Sequence, residues 1–176
     1  VSNYLNSNVK VGDEIDVMPP NGNFTISLKP ELKKDYYLFG GGAGITPLLS
    51  ILKSIIEVQP KSRVFLYYQN RDEESIMFEK ELADLEKRYE GQLYVKHILS
   101  CPITEKKGGV LGLFAKKTIN WQGETGRIDG PRTSKFISEN RSGDGRAEEF
   151  FICGPEGMME AVESALKNKG IESKYI

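Results

Sequence analysis

The sequence predicts an α/β fold: a doubly wound, mostly parallel five-stranded sheet with helices on both faces. Three observations carry that prediction. From Tyr36 onward, short apolar runs of strand length alternate with stretches whose apolar residues recur at helical spacing. A cluster of glycines, Gly40, Gly41, Gly42 and Gly44, stands between the first such strand and the first such helix. A second turn, Cys153-Gly154-Pro155, stands at the corresponding junction near the C-terminus. Strand–helix alternation implies parallel strands joined by right-handed crossovers. Ligands of such sheets bind outside the carboxyl ends of the strands, where the strand order switches.

The first 30 residues have a different texture. Gly12-Asp13 reads as a turn, and Ile15 and Val17 as an alternating strand. Pro19-Pro20-Asn21-Gly22-Asn23 is a strong turn signal, and Phe24 to Leu28 alternates again. This is β structure of a neighbouring domain, too short to close a core alone. The boundary is therefore set between residues 30 and 31.

Tyr36 to Phe39 is a buried-type strand. Leu48, Leu49, Ile51, Leu52, Ile55 and Ile56 define a helix from about Pro47 to Val58. Thr46 is placed to cap it, and Pro47 suits the first helical position, where a missing N–H has no consequence. Arg63 to Tyr68 is a second strand, ended by the polar run Gln69-Asn70-Arg71-Asp72. A helix from about Ser75 to Tyr89 follows, and then a third strand, Leu93 to Leu99. Residues 101–126 are a long connection for an α/β unit. They include Lys106-Lys107-Gly108-Gly109 and a short apolar piece from Val110 to Ala115. Pro131 starts a short helix that ends before Arg141. Phe150 to Cys153 is a fourth core strand, and Pro155 opens a helix that Gly170 ends. Ile171 to Ile176 reads as a last strand.

With 39% hydrophobic and 28% charged residues the composition is that of a globular protein, not a disordered chain. A net charge of −1 argues against nucleic-acid binding by bulk charge. No apolar run reaches membrane-spanning length and no signal peptide is visible. Cys101 and Cys153 cannot build a disulfide framework, and with the lone His97 they make no metal site. A reducing cytoplasm is the simplest location. The chain opens on Val1 rather than Met, as an excised fragment or a processed terminus does.

The glycine turn is the first candidate site. Glycines let the backbone approach a ligand closely, and the following helix N-terminus favours an anion. We read that anion as the pyrophosphate of a nicotinamide dinucleotide. The pattern is Gly42-x-Gly44-x-x-Pro47, with Ile45 where a third fingerprint glycine would fall and no Gly-Lys-Ser/Thr to make a Walker loop. The bland alternative is that the glycines only pack a tight turn. Asn70 and Arg71 end the second strand, where the adenosine side of a dinucleotide would lie. Arg71 reads either as a partner for a 2′-phosphate or as a solvated surface arginine, with Asp72 next to it. Cys153 reads either as a small polarizable neighbour of a nicotinamide ring or as a buried cysteine at a strand end. His97 reads as structural and Cys101 as incidental. Lys106, Lys107, Lys116 and Lys117 read as a solvated loop or as a patch for an acidic partner.

Taken together, these motifs resemble the ferredoxin–NADP reductase superfamily, in particular reductase components of bacterial oxygenases of the phenylacetyl-CoA type. Gly42-Ala43-Gly44-Ile45-Thr46-Pro47 looks like the family's pyrophosphate loop. Tyr68-Gln69-Asn70-Arg71 with Ile76 to Leu82 looks like its adenosine-side strand and helix. Gly126-Arg127-Ile128-Asp129-Gly130 resembles the segment before its fourth strand. Cys153-Gly154-Pro155-Glu156-Gly157-Met158 is similar to its nicotinamide-side turn.

The resemblance implies that residues 31–176 are an NAD(P)-binding domain and residues 1–30 the C-terminal remnant of an FAD-binding β-barrel, with Ser2 near the FAD pyrophosphate. It implies that Gly42 to Pro47 hold the pyrophosphate and that Asn70 and Arg71 hold the adenosine side. Cys153, Gly154, Pro155, Glu156 and Met158 then line the nicotinamide side, and Cys153 and Thr46 are the residues nearest the hydride transfer. The implied cofactors are NADPH or NADH and FAD, with a two-iron two-sulfur cluster in a further domain of many such reductases. The implied partner is an oxygenase or a ferredoxin-type electron acceptor. Without most of the barrel the fragment should bind nucleotide weakly and not turn over. The rival readings are a non-redox nucleotide-binding or interaction module of the same fold and, more remotely, a methyltransferase.

Overall fold

In the computed structural model the described residues are 2–19, 21–107 and 116–173. The elements run α1 (Ser2–Asn8), β1 (Lys34–Gly41), α2 (Ile45–Val58), β2 (Arg63–Asn70), α3 (Glu79–Arg88), β3 (Leu93–Leu99), β4 (Thr104–Lys107), β5 (Lys116–Ile119), β6 (Glu124–Thr125), α4 (Gly130–Asn140), β7 (Ala147–Cys153) and α5 (Glu156–Asn168). Five strands form one sheet in the order β6-β3-β2-β1-β7, every pair parallel. β4 and β5 pair only with each other, antiparallel, outside that sheet.

β1 shows why the sheet is wound on both faces. Its side chains alternate, and both sets are apolar and buried. Tyr36 and Leu38 face α2 and α3 with Val64, Leu66, Leu82 and Leu85. Tyr37 and Phe39 face α4 and α5 with Phe136, Ile137, Val162 and Leu166. A strand covered on both sides reads as a continuous apolar run, as Tyr36 to Phe39 does. On the α4/α5 side the rings of Phe150, Tyr37, Phe65 and Tyr94 stack, one from each of β7, β1, β2 and β3, with centroids 5.2, 5.2 and 5.0 Å apart.

The expected sheet forms, with a different fifth strand. It is β6, whose Glu124 and Thr125 pair with Ile98 and Leu99 at the β3 edge. Residues 171–173 form no strand, and 174–176 lie outside the described residues. Ile171 instead closes α5. Gly170 turns at φ 79°, the Ile171 N–H donates to the Leu166 carbonyl at 3.2 Å, and the side chain packs on the core. That is the usual way a glycine and a following apolar residue end a helix.

The strands expected at 15–17 and 24–28 do not form either. A two-residue alternation supplies a pattern, but a ladder also needs a partner strand, and none of the described residues pairs with this segment. Ile15, Val17 and Met18 are exposed, while Phe24 stands edge-on to Phe151 and Ile26 and Leu28 lean on the core. The apolar piece read at 110–115 lies outside the described residues.

Candidate functional site

The switch in strand order lies at β1, which has β2 on one side and β7 on the other. The register puts Gly40 beside both Tyr68 and Cys153. Both predicted turns therefore meet at the carboxyl end of the sheet, and the glycines there divide into two kinds. Gly41, Gly44 and Gly154 let the turns touch. A Cβ on Gly44 would lie 2.1 Å from the Cys153 carbonyl oxygen, one on Gly41 2.6 Å from Pro155 Cδ, and one on Gly154 2.9 Å from the Gly41 nitrogen. Gly42 is different. It sits at φ 51°, and a Cβ there would meet nothing within 4 Å. Packing thus accounts for Gly44, whereas Gly42 leaves a left-handed backbone turn open on its ligand side.

The helix starts earlier than its sequence suggests. Gly42–Gly44 is one 3-10 turn, and α2 begins at Ile45 with Gly44 as its cap. Thr46 is therefore inside the first turn, where its hydroxyl donates to the Ala43 carbonyl at 3.0 Å instead of capping a backbone N–H. Pro47 falls on the third helical residue, still among the four whose N–H has no helical partner. Ile45 is wholly buried, and its N–H is used by the Gly42 and Ala43 carbonyls. Pro155 is the cap of α5 rather than its first residue, and its carbonyl accepts from the Met158 and Met159 N–H groups at 2.9 and 3.1 Å.

A cleft of about 640 Å³ opens from this point towards β2, β3 and β6. Of the predicted residues it collects Gly42, Ala43, Asn70, Arg71, Pro155 and Met158. Gly44, Ile45, Thr46, Pro47, Cys153, Gly154 and Glu156 do not line it. Cys153 is half-buried at the end of β7, and Glu156 is exposed at the start of α5. Ser2 opens α1, in the N-terminal segment that adds nothing to this cleft.

The cleft also uses residues that the sequence did not single out as ligands, among them Gln69, Ser100, Arg127 and Gly157. Tyr68 acts from behind. Its buried hydroxyl donates to the Gly42 carbonyl at 3.0 Å, and burial pushes its pKa up, so it stays a donor. The signal for Ser100 and Arg127 was positional: each follows a strand end closely, but β6 had to be recognised to see the second.

Asn70 is the unusual group. It is only 4% exposed, and neither amide atom makes a hydrogen bond of ordinary geometry, the Tyr68 hydroxyl being its polar neighbour. Leaving such a group unsatisfied costs about 1–3 kcal/mol. Asp72, expected to oppose an anion beside Arg71, is largely occupied elsewhere. Its Oδ1 accepts from the Ser75 N–H at 3.0 Å in a capping box. Among the described residues no group of three or more His, Cys, Asp or Glu side chains is placed to hold a metal. Among the same residues no helix is long and apolar enough to cross a membrane.

A doubly wound parallel sheet with a glycine turn at its switch point is the architecture of a dinucleotide-binding α/β domain. Residues 38–164 match the family model described as the oxidoreductase NAD-binding domain, and the chain belongs to that family. It is 31% identical over 175 residues to a component of the 1,2-phenylacetyl-CoA epoxidase of Escherichia coli (strain K12), covering 99% of this chain and 45% of that protein. It is 35% identical over 170 residues to the ferredoxin reductase component of 3-ketosteroid-9-alpha-monooxygenase from Rhodococcus rhodochrous, covering 97% and 40%. The chain thus spans less than half the length of these two relatives. Among solved structures, the CS-b5R domains of human Ncb5or in the NAD+ form superpose with a TM-score of 0.72 at 29% identity, covering 89% of this chain and 39% of that one.

Proposed function

We propose that this chain is the NAD(P)H-binding part of a flavin-dependent reductase that serves an oxygenase or an iron–sulfur acceptor. Residues 31–176 are its nucleotide domain and residues 1–30 the end of its flavin barrel. The observation that carries the reading is the pairing of Gly42, open and left-handed at the switch point, with the buried, unsatisfied amide of Asn70 in the same cleft. Both are what a bound dinucleotide would complete. The two named relatives, an epoxidase component and a monooxygenase reductase component, support the oxygenase setting. The two free thiols suit a reducing cytoplasm.

In this reading the Gly42–Ala43 backbone receives the pyrophosphate, and Tyr68 holds that turn in place through the Gly42 carbonyl. Asn70 and Arg71 bind the adenosine side. Thr46, tied to Ala43, stands at the exposed rim of α2 on the nicotinamide side, and Cys153, Gly154 and Pro155 border the ring. Glu156 and Met158 extend that wall along α5. Ser2 belongs to the flavin side. The bound dinucleotide supplies the hydride, and a flavin passes its electrons on. The protein contributes orientation, by fixing the two turns against each other through Gly41, Gly44 and Gly154.

Amide NMR titration with NADH and NADPH tests this. Shifts should concentrate at Gly42, Ala43, Asn70 and Gly157. No shift at these amides with either nucleotide at millimolar concentration would overturn the reading.

A further inference from the structure

Two buried polar side chains away from the cleft, Gln59 and Ser62, direct their hydrogen bonds at the stretch that carries the chain into β1. Gln59 is the C-cap of α2, and Ser62 immediately precedes β2. Gln59 Nε2 reaches the Ser27 carbonyl in a long contact of 3.5 Å. The Ser62 hydroxyl lies 3.1 Å from the Leu32 carbonyl and 3.0 Å from Gln59 Oε1, and can donate to either. It also accepts the Lys34 N–H at 3.1 Å. Tyr36, in β1, donates its hydroxyl to the same Gln59 oxygen at 2.9 Å. Apolar contacts continue the attachment upstream. Ile26 and Leu28 pack on the core, and Phe24 meets Phe151 edge-on with ring centroids 5.7 Å apart. Before Phe24, Gly22 turns the chain at φ 121° with open space around it.

A connection between two domains is by default a hinge. This one is fastened from Phe24 to Lys34, and the place of fastening matters. α2 has the glycine turn before its first residue and Gln59 after its last, so its 14 residues form one rod of about 21 Å between them. β1, which carries Tyr36, runs into the same turn from the other side. Gln59 is thus tied to both elements that flank Gly42. We propose that Gln59 and Ser62 are positioning residues that latch the interdomain linker onto α2 and β1. The flavin barrel is then held at a set distance from the two turns, and the chain swings only upstream of Phe24, around Gly22. The inference rests on the reductase reading above and adds to it the residues that hold its two domains in register. Neither residue lines the nucleotide cleft, so both act through the linker. Apolar side chains there would supply burial without direction, whereas paired donors and acceptors specify one placement.

Ser62→Ala and Gln59→Met test the latch, with Ser54→Ala as a control on α2 whose hydroxyl donates to the Ser50 carbonyl instead. Hydrogen exchange on this chain should find the Leu32 and Lys34 amides protected in the wild type and in Ser54→Ala. In the two latch variants they should exchange about 3- to 10-fold faster, while the centre of β1 keeps its protection. In the longer reductase that contains the chain, stopped-flow flavin reduction at saturating NAD(P)H should slow about 10- to 100-fold, the scale of a displacement of about 1 Å that arises far from the chemistry. The nucleotide dissociation constant should stay within about 2-fold, because the cleft is distant and shares no partner with the latch. Faster exchange with unchanged flavin reduction would make Gln59 and Ser62 structural only and overturn the positioning role. Slowed reduction with an equal loss of nucleotide affinity would overturn it too, by placing the damage in the cleft. Unchanged exchange in both variants would overturn the latch itself. A longer protein that binds no flavin removes the reductase reading and the positioning role with it, whatever the exchange shows.

Discussion

Replacing Gly44 by alanine separates a steric from a conformational role for the glycine turn. Gly44 has φ −61° and ψ −10°, an ordinary helical conformation that alanine adopts without strain. The added methyl, however, would lie 2.1 Å from the Cys153 oxygen, 2.5 Å from its carbonyl carbon and 2.8 Å from the Gly154 nitrogen. A carbon needs about 3.3 Å from a carbonyl oxygen, so the two turns must part by roughly 1.2 Å. All three obstacles are backbone and cannot swing away. Overpacking of this kind costs about 1–3 kcal/mol, and rigid neighbours on every side place Gly44→Ala at the upper end, about 3 kcal/mol. For a chain of 176 residues that corresponds to a fall in Tm of about 6–12 °C. Gly42→Ala is the complement. It meets no atom within 4 Å but must hold φ 51°, which costs roughly 1–2 kcal/mol. Scanning calorimetry should therefore rank Gly44→Ala below Gly42→Ala in Tm. Nucleotide titration should show the sharper direct loss at Gly42→Ala, whose methyl enters the open side of the turn. If Gly44→Ala melts within about 2 °C of the wild type, or above Gly42→Ala, the close contact of the two turns is not what the glycine is for.

Three further outcomes follow from other parts of the structure. Asn70→Leu removes a buried amide without a hydrogen bond of ordinary geometry, so it should raise stability by about 1 kcal/mol while weakening nucleotide binding at least about 10-fold. A stabilised variant that still binds normally would detach Asn70 from the site. Burial holds His97 below its ordinary pKa of 6.5, with Glu79 opposing weakly, and its Nδ1 has no partner. The unfolded chain therefore takes up the proton first as pH falls, and stability drops from about pH 6.5 downward. Unfolding midpoints in urea between pH 7 and 5 should fall for the wild type and flatten in His97→Gln. Equal slopes in the two proteins would contradict this. Glu124 has its pKa lowered by Tyr67 and Lys96 against the opposing effect of burial, so it acts only below about 4.5 and leaves that window clear. Finally, Asp35 is buried at the head of β1 and binds Arg63 through two bonds of 2.9 and 2.6 Å, with Arg146 at 3.8 Å. Asp35→Ala strands the partly buried Arg63 and should cost about 3 kcal/mol in chemical denaturation. A loss under about 1 kcal/mol would class the pair with surface ion pairs.

The parts legible in the sequence are those where one local force dominates. β1, β2, β3 and β7 carry apolar runs that can only be buried, and Pro131 announces α4 through first-turn chemistry, while its Asp129 cap emerged only in the structure. β6 was illegible because Glu124 and Thr125 have no strand signature of their own. They pair because Trp121 donates to the Glu124 carbonyl at 2.9 Å and Gly126 reaches Leu99, both tertiary effects. β4 and β5 were hidden in the same way, since lysines give no strand pattern. In the opposite direction, Ile15, Val17 and Phe24 to Leu28 have the pattern without a partner strand.

The site followed the same division. Gly42, Asn70 and Arg71 were readable because they end strong strands. Arg127 needed the unreadable β6. The cap was misplaced by two residues, at Thr46 instead of Gly44, because a 3-10 turn of glycines precedes the helix, and glycine composition does not distinguish a loop from the start of a helix.

The stack of Phe150, Tyr37, Phe65 and Tyr94 also makes the molecule optically divisible. Tyr37 is held rigidly among rings from neighbouring strands, so its near-ultraviolet circular dichroism exists only while those strands keep their register. The single tryptophan, Trp121, is at the other end of the order, in the turn that supports the two-residue edge strand β6. Its emission therefore reports the fraying of the edge, and the tyrosine signal reports the loss of the whole sheet. Recorded together during one melt, the two signals show whether the Arg127 side of the cleft opens before the sheet gives way.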